Sequence, residues 1–225
     1  MLPKIFLPFA LAPKFTFLGK AFKEQDAFRI LDIGSGNHSP AHTKKLFPNC
    51  EYHGLDLGDT YRYDDADRAV MHHFYSLDLT KLDYSEVPDG YFDFIMMAHV
   101  LEHLPNGEAV LPKLIEKLRP GGYIYIEYPG ERSTRLPSMR ETLNFYDDET
   151  HVRVYNHKEV SAWLREAGMD VKSTGTRRSL PLLLLTPVRL VQALVKRGYV
   201  QGNVFWDLMG FAEYVFARKK ATGIK

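Results

Sequence analysis

Three histidines and a glutamate are the residues best placed to do chemistry. His99, Glu102 and His103 fall in AHVLEHL, and His151 follows in YDDETHVRVY. Imidazole gains and loses a proton near neutral pH, so His99, His103 and His151 are candidate bases. Read as one helical turn, the first segment also matches the H-x-x-E-H of inverted zinc peptidases, and two histidines four apart on a helix can share a metal. No peptidase scaffold surrounds it, and it runs straight out of a strongly apolar strand.

A second group of residues points to a nucleoside. Arg29 to Asp56 reads RILDIGSGNHSPAHTKKLFPNCEYHGLD: an apolar strand, a Gly-Ser-Gly turn, a short helix, a second strand and an acid at its end. Gly34 and Gly36 lack a Cβ, so the backbone can turn sharply there and lie close to a ligand. Ser39 and Pro40 are expected as N-cap and first helical residue. Asp56 follows the first glycine by roughly the 20 residues expected of a carboxylate that accepts the hydroxyls of a ribose. A lone Gly-x-Gly is explained by an ordinary tight turn, but strand, helix start and acid in register go further. Ser39 stands where a dinucleotide site has its third glycine. That departure, with the lack of a Tyr-x-x-x-Lys pair, argues against NAD or FAD.

These groups need a frame. Strands are expected near 29–33, 51–56, 74–78, 92–97 and 123–128, with Phe74 to Leu79 as the third, and helical or mixed segments between them. A parallel sheet covered on both faces follows, an α/β doubly wound architecture. Leu111 to Gly122 reads as a helix stopped by Pro120 and the glycine pair, with Pro112 marking a kink or a late start. Asn156 to Gly168 is the clearest helix: Asn156 caps it, Glu159 completes a capping box, Val160, Trp163, Leu164 and Ala167 share one face, and Gly168 ends it. A sixth strand is expected at Met169 to Lys172 and a seventh at Phe211 to Lys219.

With LDIGSG, GLDL, SLDL, FDFIMMAHVLEHL and LRPGGYIYIEYPG in one order, the chain resembles the class I S-adenosylmethionine-dependent methyltransferases over about Phe28 to Met169. The small methyltransferase-domain proteins with a x-V-L-E-H-L segment after the fourth strand are the most similar in pattern. The resemblance implies a Rossmann-like, seven-stranded, mostly parallel sheet with the last strand antiparallel beside the sixth. It implies S-adenosyl-L-methionine as cofactor, bound at Asp32, Gly34, Ser35, Gly36, Asp56, Leu57, Asp78, Leu79 and His99. Asp56 would accept both ribose hydroxyls, Asp78 the adenine amino group, and the Leu79 N–H would meet a ring nitrogen; the plain alternative for Asp78 is to cap a turn. This cofactor has no pyrophosphate, so a missing third glycine costs little.

The activity so implied is methyl transfer, most simply to oxygen of a small-molecule or lipid-like acceptor. The sulfonium is already activated, so the protein mainly aligns acceptor and S–CH₃ bond, worth roughly 7 to 11 kcal/mol. His103 and His151 are the expected catalytic residues, with Tyr128 and Tyr146 as walls or donors. Some relatives, among them small-RNA 2′-O-methyltransferases and ubiquinone-pathway O-methyltransferases, bind a divalent cation through E-x-x-E-H. Here His99 replaces the first acid. The leading expectation is a site without metal, and the alternative is a metal-assisted one using His99, Glu102, His103 and His151. A non-catalytic cofactor-binding or partner-binding protein and an aminopropyl transferase stay open; the latter would want paired acids beside the fourth strand.

Composition fits one enzyme domain over 1–225: an N-terminal cover (1–27), a cofactor-binding core (28–172) and a substrate-side extension with the last strand (173–225). At 225 residues and 45% apolar, the chain can bury a full core. Cys50 is alone, which excludes a disulfide framework and fits a reducing cytoplasm. A net charge of +1 hides an asymmetry: residues 1–23 carry four lysines and no acid, and residues 177–225 carry nine basic and two acidic side chains. The middle is therefore strongly acidic, which disfavours nucleic acid as a partner. Both ends are also apolar, but prolines keep each below the roughly 20 residues needed to span a bilayer, and the first lacks a signal-peptide cleavage site. They are expected either to form a basic, apolar cover with peripheral membrane contact or to pack on the sheet and a homodimer partner.

Overall fold

The computed structural model describes residues 12–58 and 63–221. In chain order its helices and strands are α1 (Pro13–Ala21), β1 (Arg29–Ile33), α2 (Ser39–Leu46), β2 (Glu51–Asp56), α3 (Asp65–Val70), β3 (His73–Ser76), β4 (Phe92–Ala98), α4 (Gly107–Lys117) and β5 (Leu118–Pro129), followed by α5 (His157–Glu166), β6 (Met169–Thr176), α6 (Leu180–Leu184), α7 (Thr186–Arg197), α8 (Trp206–Met209) and β7 (Ala212–Lys219). The strands form one sheet in the order β3-β2-β1-β4-β5-β7-β6. The first five pair in parallel, and β7 lies antiparallel between β5 and β6. Strand order reverses between β1 and β4, which opens a crevice at their carboxyl ends.

Central strands of such a sheet are covered on both faces and so read as near-continuous apolar runs. RILDI and FDFIMMA are buried along almost their whole length. Alternate residues feed two cores. Leu31, Ile33, Ile95, Met97, Ile124 and Ile126 face the layer that includes Leu111 and Leu114 of α4 and Val160 and Leu164 of α5. Ile30, Phe94, Met96 and Tyr125 face Phe15, Phe17 and Leu18 of α1, with the Phe17 and Tyr125 rings stacked at 4.6 Å. The described part of the N-terminal cover thus packs on the sheet; residues 1–11 of that expectation lie outside the described residues.

Several boundaries differ from expectation for identifiable reasons. β3 ends at Ser76, and Asp78 caps the following single turn, Leu79–Lys81. α4 starts earlier and ends before Pro120, while Pro120 to Gly122 lie inside β5, beside a register shift opposite Phe92 and Phe94. Pro112 removes one bond within α4, and burial of Val110, Leu111, Leu114 and Ile115 outweighs that loss. β6 runs on to Thr176 because its pairing with β7 continues to Thr176↔Glu213. Asn156 accepts from the Lys158 and Glu159 N–H groups, but the Glu159 carboxylate turns to Arg153 at 3.0 Å instead of closing a capping box. No described helix is long and apolar enough to cross a membrane.

Candidate active site

A cleft of about 690 Å³ lies at the carboxyl ends of β1, β2, β4 and β5. Gly34 forms its floor where β1 ends. Its φ is +68°, its N–H donates to the Leu55 carbonyl at 2.8 Å, and a Cβ there would run into Val100 Cγ2. Glycine is required twice over, by the left-handed conformation and by the close approach. Gly36 also lines the cleft. Asp32 and Ser35 do not, which departs from the expected contacts. Asp32 is buried and accepts from Ser39 Oγ and Tyr52 Oη, each at 2.5 Å, while the buried Ser35 hydroxyl pairs with that of Tyr63. Both brace the turn from behind. Ser39 is the first residue of α2 rather than its cap; His38, at φ +58°, occupies the cap position. The side chain at the missing third glycine therefore has work of its own, tying α2 to β1.

Asp56 and Leu57 line the cleft at the end of β2. The Leu57 N–H donates to Asp56 Oδ1 at 2.7 Å. Burial pushes the Asp56 carboxyl up, against that bond, and the nearby Asp32 charge adds to the rise. Asp78 and Leu79 form the next part of the wall. Asp78 Oδ1 accepts from the Thr80 hydroxyl at 2.6 Å and the Thr80 N–H at 3.0 Å, and these bonds hold its carboxyl below the usual range. The same carboxylate caps a turn and faces the cleft, so both roles foreseen for it are compatible.

The opposite wall was only partly legible. AHVLEHL is not a helical turn throughout: His99 has φ +57°, and only Leu101–His103 forms a single tight turn. That break swings His99 against the Trp206 ring, 4.7 Å between centroids. Its Nε2 lies 3.0 Å from Glu127 Oε1 and its Nδ1 3.3 Å from Glu102 Oε1. Burial alone would lower the imidazole pKa, but the two carboxylates lift it to about 9. Behind it, buried Glu127 also accepts from Arg177 at 2.9 Å and from Tyr125. Arg177 in turn bonds Asp207 at 2.7 Å. Burial pushes the Glu127 carboxyl up, yet Arg177 and His99 outweigh it and hold it far below its usual range. His99 is thus a cation at neutral pH, unsuited to act as a base.

His103 and His151 face each other across 5.0 Å between ring centroids. His151 Nδ1 is 2.6 Å from the Phe145 carbonyl and His103 Nδ1 is 3.1 Å from the Thr150 carbonyl. A carbonyl only accepts, so in each neutral ring Nδ1 carries the proton and Nε2 keeps its lone pair. Glu102 lies beside them, 1% exposed, with neither carboxylate oxygen hydrogen-bonded. His99 at 3.3 Å is off a hydrogen-bonding line, and His151 Nε2 is 3.9 Å away. Single ligand atoms of Glu102, His103 and His151 lie within 4.8 Å of one another; His99, drawn off to Glu127, is not in that group. Tyr128 is fully buried in the core and cannot be a wall. Glu127, Arg177, Lys14 and Trp206 also line the cleft and were missed. For Glu127 a signal existed, a lone acid inside the apolar run YIYIEY. Arg177 carried none, because its partners lie 50 and 30 residues away.

The strand order and a crevice ending in glycine turn, ribose-type acid and turn-capping acid define a class I S-adenosylmethionine-dependent methyltransferase fold. The sequence pattern of the family described as "Methyltransferase domain" matches residues 6–174, and the chain belongs to that family. It is 33% identical over 100 residues to methyltransferase str3 of Strobilurus tenacellus, covering 44% of this chain and 34% of that protein. It is 24% identical over 156 residues to the ubiquinone biosynthesis O-methyltransferase of Pseudomonas syringae pv. tomato, covering 64% of this chain and 65% of that one. The chain thus spans between about a third and just under two thirds of these relatives' lengths. Among solved structures, the S-adenosylmethionine dependent methyltransferase from Mesorhizobium loti superposes with a TM-score of 0.63 at 15% identity, covering 92% of this chain and 98% of that one.

Proposed function

We propose that this chain transfers a methyl group from S-adenosylmethionine to an oxygen of a small-molecule or lipid-like acceptor, by direct in-line displacement. The observation that carries the reading is that one cleft is lined both by Asp56 and Gly34 and by the His103–His151 pair. The cofactor supplies a methyl already activated as a sulfonium. Asp56 would accept the ribose hydroxyls, Asp78 and the Leu79 N–H would hold the base, and the backbone at Gly34 and Gly36 would lie against the methionine tail. On the acceptor side, His151 Nε2 or His103 Nε2 takes the hydroxyl proton as the oxygen attacks. Trp206 and His99 close the site against water.

A lipid-like acceptor is favoured by the segment joining β6 to β7, the roof in this reading. Leu180 and Leu184 on α6 and Val188, Val191 and Val195 on α7 follow helical spacing, yet each is between 49% and 80% exposed. Arg178, Lys196 and Arg197 are exposed on the same segment, and residues 177–206 contain no acid, a combination suited to an anionic lipid surface. Incubation with labelled S-adenosylmethionine and fractionated extract tests the reading. Label should enter lipid or polar metabolites; label confined to protein or RNA would overturn the acceptor class, and none anywhere would favour a non-catalytic module. Flotation with anionic vesicles tests the roof, and a homodimer through the same stripe is the competing result.

One observation favours a second, metal-assisted reading: the two buried, unbonded oxygens of Glu102 beside His103 and His151. These three residues would hold the ion, which would lower the pKa of the acceptor hydroxyl.

A further inference from the structure

A second cluster of ligating side chains lies toward the other end of β2, where His53 and Glu51 are three and five residues, roughly 10 and 17 Å of strand, from Asp56. Glu51 and His53, two apart on β2, project from the same face. The pairing His53↔His73 brings β3 alongside, with His72 immediately before it. Glu51 Oε1 is 2.8 Å from His53 Nε2 and 3.8 Å from His72 Nε2. All three ligand atoms lie within 4.8 Å of one another.

We propose that Glu51, His53 and His72 form a zinc-class metal site, separate from the catalytic cleft, that clips the short edge strand β3 to β2. Two imidazoles and one carboxylate are the donor set of zinc and its neighbours rather than of magnesium or calcium. Donors around a tetrahedral ion bound at about 2.0–2.1 Å stand roughly 3.3 Å apart, so only small side-chain shifts are needed. The surroundings already orient the ligands. His53 Nδ1 faces the Tyr75 hydroxyl at 3.4 Å, so with Nε2 on the ion the Nδ1–H has an acceptor. Tyr91 donates to Glu51 Oε1 at 2.5 Å, and the Arg29 guanidinium stacks on the Tyr91 ring at 4.3 Å. The Phe92 ring meets His53 edge-on at 5.1 Å. His53 is buried, which holds its ring in place between the two strands. His72 is 63% exposed on its side chain, which gives the ion an entry path and leaves the fourth position to water.

On loading, the single proton of the His53 ring shifts from Nε2 to Nδ1 and the Nε2 lone pair goes to the ion; no other covalent bond is made or broken. This proposal stands apart from the methyltransferase reading, because its readout is metal binding.

Cobalt(II) is the probe, titrated into the full chain purified without a histidine tag. One equivalent should give the visible absorption of a tetrahedral cobalt site and raise the thermal midpoint. His72→Ala, at an exposed position, should weaken that binding by at least ~10-fold, as should Glu51→Gln, whereas His103→Ala should leave it intact. Cobalt absorption in His103→Ala that survives the added His72→Ala overturns the proposal, and so does a His103→Ala chain that binds no cobalt. Unchanged far-ultraviolet circular dichroism of the variants separates lost ligation from lost folding.

Discussion

Ser39 donates its hydroxyl to the buried Asp32 carboxylate at 2.5 Å, joining the first residue of α2 to the end of β1. Tyr52 donates to the same oxygen from β2, so one acid behind the glycine turn holds three elements together. Replacing it orphans two buried hydroxyls at about 1–3 kcal/mol each. Asp32→Ala should therefore lower the urea midpoint markedly. If stability is unchanged while cofactor affinity alone collapses, Asp32 contacts the ligand after all.

Asp56 gives the opposite pattern. Asp56→Ala should leave unfolding nearly untouched and weaken S-adenosylmethionine binding by about 1.5–3 kcal/mol, the range for hydrogen bonds to a charged group. Titration calorimetry reads it directly, and an unaltered dissociation constant refutes the placement.

The raised pKa of Asp56 adds a pH signature. On the proposed reading only the ionised form fully accepts the ribose hydroxyls, so affinity should fall as the pH drops through that raised value. In Asp56→Asn this fall should vanish. A wild-type acid limb that persists in the variant belongs to another group.

His99 titrates in the other direction. With a folded pKa of about 9 against an ordinary 6.5, it gives stability that is complete below about 6.5 and is lost as the pH rises through about 9. Denaturant midpoints across that window should decline in the wild type and flatten in His99→Gln. A flat wild-type curve contradicts the ion pairs with Glu127 and Glu102.

Gly34→Ala should be worse than an average surface change. It forces a Cβ into a left-handed residue and against Val100, at about 1–3 kcal/mol of strain. Adding Val100→Ala should recover only the steric part, as read by cofactor affinity and thermal midpoint.

Much of the frame was legible because its signals are local. The apolar runs of β1 and β4, the glycine turn and the acid at the end of β2 all announce themselves within a few neighbours, and each falls where expected. Strand β3 was overextended because Asp78 belongs to a side-chain-capped turn, which hydrophobic pattern does not reveal. Nothing local in AHVLEHL shows that His99 adopts φ +57° and breaks the helical reading; its partner Glu127 comes from strand β5, and Glu127's own partner Arg177 from beyond β6. Asp32 and Ser35 sit within the right motif, yet only the packing of Tyr52 and Tyr63 shows that they point away from the cleft.

The segment joining β6 to β7 leaves the sheet at the last paired position, Thr176↔Glu213, one residue inside the start of β7. Everything from Arg177 to Phe211 is spliced into a hairpin whose two stems stay bonded to each other. That insert can therefore be rewritten while β1, β2 and β4, on the far side of β5, keep their geometry.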